Sequence, residues 1–530
     1  MRKGKNGLGK KENTAVAASA MGFFFAFTLA LCAVAAVVVG TANAATYTVC
    51  AIGCDYATIQ NAVNAATSGD TVFVYNGSYN ENVNVGTAHL TLEGEGKDKV
   101  TVTAASSSDD VFEVTADWVN ISGFTATGAT SGGWIAGITL NGVQHCKISE
   151  NNCSKNSWFG IYLQDSSNNE LTNNTANQND WGIELDYSSN NTLTSNTANY
   201  NNDDGILLDS SSNNTLTSNT ANYNNWVGIW LDYSSNNTLT SNTANQNDWD
   251  GIWLDYSNYN TLTSNSANYN NDDGILLDYS NYNTLTSNTA NENNWDGILL
   301  DYSNYNTLTG NTANYNNDDG IWLNSSSNNT LTSNTANYNN DDGIELDSSS
   351  NNTLTSNTAN YNNWDGIFLD YSNYNTLTGN TANENNKQGI RLWNTDGNNI
   401  SCNRVQANKQ AGFHLSGGST GNTIAQNNIL VNGNYNGTSE GYEWNFYNDQ
   451  SDAVTAKNNY WGTTNAAKID ASIYDNDENA GKGEVDFSGY KSGPVPCAPV
   501  PELPTVVLFS AGLLGVVGYF LLGQRRREKK

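Results

Sequence analysis

The sequence predicts an all-β chain wound as a solenoid of parallel strands. Gly-Ile pairs at Gly182, Gly205, Gly228, Gly251, Gly274, Gly297, Gly320, Gly343, Gly366 and Gly389 recur every 23 residues. A fixed period of this size marks units that bury their apolar face only against their neighbours. Within each period the apolar residues alternate over short stretches, as in Ile206-x-Leu208 followed by Leu216 and Ala221. This is strand patterning. The rest of the unit is Asn, Thr, Ser, Asp and Gly, which favour turns and caps over helix interiors.

Each alternative solenoid fails on a specific point. Helical repeats need an apolar stripe at helix spacing, and none is present. Leucine-rich repeats need an Asn soon after L-x-L, but Leu208 is followed by DSSSNNTL. Left-handed β-helices are built on hexapeptides, and 23 is not a multiple of six. Parallel crossovers are right-handed by strong rule, so the expected fold is a right-handed parallel β-helix with two or three short strands per coil. Asn recurs in register at Asn196, Asn219, Asn242 and Asn265, and again at Asn199, Asn222 and Asn245, as expected for stacked amide ladders.

The chain divides along these lines. Residues 1–44 read as an export signal: a basic start (Arg2, Lys3, Lys5, Lys10, Lys11), an apolar run, then Ala42-Asn43-Ala44. Residues 45–136 form an N-terminal cap and irregular first coils, with a helix expected in Tyr56–Ala66 from the spacing of Ile59, Val63 and Ala66. Regular coils fill 137–423, and a C-terminal cap follows in 424–493. A Pro-rich linker spans 494–504, and 505–530 reads as a transmembrane segment with a basic end. The basic end should stay inside, placing the rod outside the cell.

Two resemblances add to this reading. Cys54 to Val83 carries C-x-Y-x-T-I-Q-x-A-V-x-x-A, then G-D-T-V-x-V and G-x-Y-x-E-N-V. Together with the G-I-x-L…N-T-L-T-x-N-T-A coil and Asn458-Asn459-Tyr460-Trp461-Gly462, this resembles the NosD-like and pectin-lyase-like β-helix proteins. The resemblance implies the fold and leaves activity open, because that fold hosts lyases, hydrolases, adhesins and stalks. Pro501-Glu502-Leu503-Pro504, an apolar span and an Arg cluster resemble the PEF-CTERM sorting tails of archaeal surface proteins, with Leu503 where Phe is usual. That resemblance implies processing by an archaeosortase-type enzyme at the cell surface.

Charge and composition narrow the chemistry. The net charge is −30, and the two ends hold ten of the 22 basic residues, so the rod is more acidic still. Such a surface excludes nucleic acid as a partner. The copper binding implied by the NosD label lacks ligands: the only methionines are Met1 and Met21, and His89, His145 and His414 are scattered. No Lys, Arg or His lies between Lys155 and Lys387, so most of the rod offers no base to a polysaccharide lyase.

The candidate sites follow from the files of repeated side chains. Where the repeat breaks, Lys387, Arg391 and His414 are the catalytic candidates, the alternative being cations that complement an acidic rod. Asp250, Asp273, Asp296, Asp319, Asp342 and Asp365 form one file. Stacked at a β spacing, neighbours repel by about 0.9 kcal/mol in water, which Ca²⁺ with Asn and carbonyl co-ligands would relieve. The alternative is that these carboxylates splay into solvent. Trp230, Trp253 and Trp322 are expected to point outward, with Tyr233 and Tyr256 following a second Asp file. They suit contact with envelope glycans or other surface proteins, or they pack on one another within a ladder. Cys50 and Cys54 suit a disulfide outside the cell. Cys146 and Cys153 are a second candidate pair, while Cys402 and Cys497 have no evident partner. The reading is a surface-anchored rod without catalysis, the alternative a carbohydrate-active enzyme acting near 387–414.

Overall fold

Residues 44–438 and 441–500 are described by a computed structural model of the chain. They form a right-handed parallel β-helix. Each regular coil carries two strands and a one-residue contact. The Ile-Leu strands (Ile206–Asp209, Ile229–Asp232 and onward) pair in register, Ile206 with Ile229 and Leu208 with Leu231. The Thr strands (Thr192–Thr194, Thr215–Thr217 and onward) stack into a 19-stranded sheet. On the third side single bridges link Thr197, Thr220 and Thr243. Ile206, Leu208, Leu216 and Ala221 point inward and have no exposed surface, so each coil adds one layer to a continuous core.

The corners are held by buried amides. Asn219 donates from Nδ2 to the Leu193 carbonyl at 2.9 Å and to Asn242 Oδ1 at 3.0 Å, and from its backbone N–H to the same oxygen at 2.9 Å. Its own Oδ1 receives the matching pair of bonds from Asn196 at 2.9 and 3.1 Å. Asn224 and Asn247 repeat the pattern one turn away. Asn199, Asn222 and Asn245 form a half-buried ladder running the opposite way, with each N–H donating to the coil before. Ser211 and Ser234 add a hydroxyl ladder. Satisfied buried amides cost little and are expensive to interrupt.

The glycine beat has a steric cause. A Cβ on Gly274 would lie 2.6 Å from Asn293 Nδ2 and from the Gly297 carbonyl oxygen, and 2.7 Å from Ala290 Cβ. The backbone of one coil therefore rests directly on the Asn ladder and Ala of the next.

Both ends are closed. Thr46–Val49 pairs with Thr71–Val74. The expected N-terminal helix runs Ile59–Ala65, capped by Thr58, with Ile59, Ala62 and Val63 buried. The Glu81 carboxylate accepts its first backbone N–H groups, from Ile59 at 2.8 Å and Gln60 at 2.9 Å. At the far end Phe446–Asn448 and Ile473–Tyr474 continue the Ile-Leu sheet, beside a short helix at Ala466–Asp470.

The cysteines sort differently from the sequence expectation. Cys50 and Cys54 are bonded, and so are Cys402 and Cys497. Cys146 and Cys153, the second candidate pair, are separate buried thiols. The start of the expected linker is held against the rod by the second disulfide and by Val495, whose N–H donates to Asn428 Oδ1 at 2.8 Å. Among the described residues no helix is long and apolar enough to cross a membrane. The expected export segment, up to residue 43, and the expected membrane segment 505–530 lie outside the described residues.

Gly274→Ala is expected to destabilise the rod by about 1–3 kcal/mol through overpacking. Gly310→Ser should cost less, no more than about 1 kcal/mol for its left-handed backbone, because Gly310 has φ +64° with Ser287 Oγ 3.7 Å away, and other coils hold Ser at this φ. Denaturant unfolding of the two variants side by side checks both.

Candidate functional site

The outer face of the Ile-Leu sheet carries one residue per coil between the inward Ile and Leu. Register places Trp230, Trp253, Leu276, Leu299, Trp322, Glu345, Phe368, Arg391, His414, Tyr447 and Tyr474 in a single file. Trp230, Trp253 and Trp322 do point outward, but they are half-buried and their Nε1 atoms are enclosed without acceptors. Trp230 and Trp253 stack on each other with centroids 4.9 Å apart.

Beside this file runs the Asp column. Asp250, Asp273, Asp296, Asp319, Asp342 and Asp365 are each at most 4% exposed, so their carboxylates do not splay into solvent. The reason is local. Oδ1 of Asp250, Asp273, Asp296 and Asp319 accepts the backbone N–H of the Asp one coil later at 2.7–2.9 Å, and Asp365 Oδ1 accepts that of Gln388 at 2.7 Å. The side chain thus replaces a ladder bond where the backbone turns into the strand.

Burial raises these groups far above the ordinary carboxylate range. Asp273 is pushed up to about 7 and Asp365 to about 6, while Asp250, Asp296, Asp319 and Asp342 are also raised, with neighbouring carboxylates adding to the effect. Glu345 leans in from the outer file and is likewise raised by burial, to about 7. Carboxylate oxygens of Asp318, Asp319 and Asp341 lie within 4.8 Å of one another, as do those of Asp319, Asp342 and Glu345. This all-oxygen set could hold a hard divalent cation such as Ca²⁺. The expected Asn co-ligands are committed elsewhere: Asn316 and Asn339 bond along their ladder, and Asn317 bonds to Asn294.

The break in the repeat ends this column. Arg391 Nη1 lies 3.7 Å from Asp365 Oδ2, and its guanidinium sits over the Phe368 ring at 4.5 Å. Lys387 Nζ sits 3.1 Å from the Trp364 ring centroid. Both cations lower the Asp365 carboxyl against the burial that raises it. His414 follows Arg391 in register, with its edge to Tyr447 at 5.2 Å, and Tyr447 stacks on Tyr474 at 4.3 Å. Burial pulls His414 down to about 4, and both its ring nitrogens are enclosed without partners. Arg391 and His414 are therefore brought together, whereas Lys387 belongs to the Trp364 side of the coil.

A file of exposed tyrosines lies in the turns. Tyr233, Tyr256, Tyr279 and Tyr302 are 41–59% exposed and stack with centroids 4.9–5.0 Å apart and planes within 4°. Their ring faces are occupied by each other, which leaves edges and hydroxyls outward. A further file, Tyr200, Tyr223, Tyr269, Tyr315, Tyr338 and Tyr361, is not among the expected contacts, although its register is plain in the sequence.

Four overlapping segments, 136–289, 247–363, 274–429 and 319–459, match the family model for the right handed beta helix region. The chain belongs to the right-handed beta helix family. No curated protein matches this beta-helix chain. Among solved structures, the Azotobacter vinelandii mannuronan C-5 epimerase AlgE4 A-module is 18% identical, covering 56% of this chain and 88% of its own, with a TM-score of 0.44. The AlgE6 A-module from the same organism is 15% identical, covering 63% and 92%, with a TM-score of 0.40. The alginate lyase from Paenibacillus sp. str. FPU-7 is 14% identical, covering 58% and 94%, with a TM-score of 0.26. Likenesses at this level assign no activity.

The Asp column makes stability depend on pH. A carboxyl whose folded pKa is raised stabilises the fold fully below its unfolded value of about 3.9, and that contribution is lost as pH rises through the folded value. With folded values of about 6 and 7 for Asp365 and Asp273, Tm should fall by several degrees between pH 4 and pH 8. Asp319→Asn keeps the acceptor oxygen and removes one charge. It is expected to raise Tm at pH 8 and to leave it nearly unchanged near pH 4, as thermal melts across that range would show.

Proposed function

We propose that this chain is a non-catalytic extracellular rod, held at the cell surface by its C-terminal segment, whose repeated outer files contact envelope glycans or other surface proteins. The observation that carries this reading is the state of the coil pair where the repeat breaks, which brings Arg391 and His414 together. Arg391 and Lys387 neutralise Asp365 and cover aromatic rings, and the His414 nitrogens are enclosed. A general base must reach the proton it removes, and the enclosure of both His414 ring nitrogens works against that role. Between residues 191 and 386 the Thr, Asn and Asp files repeat from coil to coil, whereas an active site is a unique constellation.

A second reading rests on one observation. Arg391, His414, Tyr447 and Tyr474 share a single outward file, and cation, imidazole and phenol are groups that a polysaccharide lyase or related carbohydrate-active enzyme could use. Incubation of the purified protein with neutral and uronate polysaccharides separates the two. The expected outcome is no new reducing ends and no unsaturated sugar. Turnover that disappears in an Arg391→Ala/His414→Ala double variant would establish the enzyme instead. Release of the protein by protease treatment of intact cells is expected, and its full protection would remove the surface assignment.

A further inference from the structure

Between the Ser ladder and the Asn ladder, each regular coil turns through one left-handed residue. Asn190, Asn213, Asn236, Asn328 and Asn351 hold this place with φ of 59–61°, and Tyr259, Tyr282, Tyr305 and Tyr374 hold it with φ of 58–60°. The backbone therefore accepts either residue, and the difference lies on the outer surface. The rings of Tyr259, Tyr282 and Tyr305 stack at 4.9–5.0 Å and cover one another. The five Asn side chains are exposed, and among the described residues no hydrogen bond engages their amides. Each of the five begins Asn-Asn-Thr, and Asn-x-Thr is the acceptor motif for N-linked sugar. The second residue is committed to the buried ladder, as when Asn214 donates its N–H to Asn237 Oδ1 at 2.7 Å. The third, such as Thr215, points outward on the Thr sheet. The first residue alone thus decides whether a coil carries the motif.

We infer that this file is N-glycosylated in two tracts, the first at Asn190, Asn213 and Asn236, the second at Asn328 and Asn351. The inference rests on the extracellular placement proposed above and goes beyond it. In the transfer Nδ2 bonds to C1 of the sugar, and the C1–O bond to the phosphate of a lipid-linked donor breaks. The phosphate leaves with the electron pair, and Nδ2 gives up one proton. A sugar on these amides displaces no hydrogen bond and stands in solvent, so every ladder stays closed. The same motif elsewhere fails this condition. Asn324 Nδ2 donates to Asp301 Oδ1 at 2.8 Å, and the serine of its motif, Ser326, is buried and donates to the Leu300 carbonyl at 3.0 Å. Asn152 is half-buried and accepts from the serine of its own motif, Ser154, at 2.6 Å. Attachment points in neighbouring coils are about 4.8 Å apart, so a glycan on one coil crowds the next and each tract carries at least one chain rather than a full set. Residues 237–323 hold no Asn-x-Ser/Thr, and the two tracts bracket this bare stretch, where the three stacked tyrosines lie.

The full chain is purified from the cells that produce it, with its location fixed by fractionation, and its chymotryptic peptides are sequenced by mass spectrometry. The expected result is sugar mass on at least one Asn of each tract and none on Asn324. Two variants of the first tract separate the motif from the amide. Asn190→Gln/Asn213→Gln/Asn236→Gln removes the acceptors, and Thr192→Val/Thr215→Val/Thr238→Val keeps them but removes the motif's hydroxyls. Both are expected to lose the sugar of the first tract and to keep that of the second. Sugar retained in the Val variant would overturn N-linked transfer to this motif, and occupancy of Asn324 equal to that of the file would overturn the assignment to the file. A protein found outside the membrane with all five asparagines bare would overturn the inference and leave the surface reading standing. A bare protein retained in the cytoplasm would overturn the surface reading, and the inference with it.

Discussion

A buried amide that bonds to its own copy one coil away sets the geometry of this protein. Asn219 receives from Asn196 and gives to Asn242 and Leu193, so its hydrogen-bonding capacity is met only when the coils above and below sit at one fixed rise. The glycine beat enforces the same rise from the steric side, because the Gly274 backbone would collide with Asn293 if it carried a Cβ. Attraction and exclusion therefore specify one register. A slip would turn inward Ile and Leu outward and orphan the amides at the same time.

Fixed register explains why like groups meet. Tyr stacks on Tyr, which is favourable, and Asp stacks on Asp, which is not. The fold tolerates the Asp column because each carboxylate serves as an acceptor for the next coil's backbone. Protons, Arg391 and Lys387 reduce its charge. Position 227, a Val in the same file, shows that the coil closes without the carboxylate.

Periodicity made the architecture legible from sequence: the strand pair per coil, the inward Ile and Leu, the Asn ladders and the helix at 59–65 all follow from spacing. Depth was not legible. A charged residue at a turn reads as exposed, and only the backbone N–H presented by the following coil shows why Asp319 is buried. The same limit applies to Trp230, whose outward direction follows from alternation but whose half-burial depends on neighbours. The Cys402–Cys497 bond spans 95 residues, with no local signal to pair them. The register pairing Arg391 with His414 was readable. The enclosure of the imidazole was not.

Because every regular coil presents the same inward Ile, Leu and Ala and the same Asn ladder, the core of one regular coil fits the core of another. Removing or duplicating one whole 23-residue unit would leave each ladder closed and each layer of core filled. The length of the rod is therefore quantised and free to change by recombination between near-identical stretches, in increments of about 4.8 Å, without redesign of either cap. A rod built this way can change length while its cross-section stays the same.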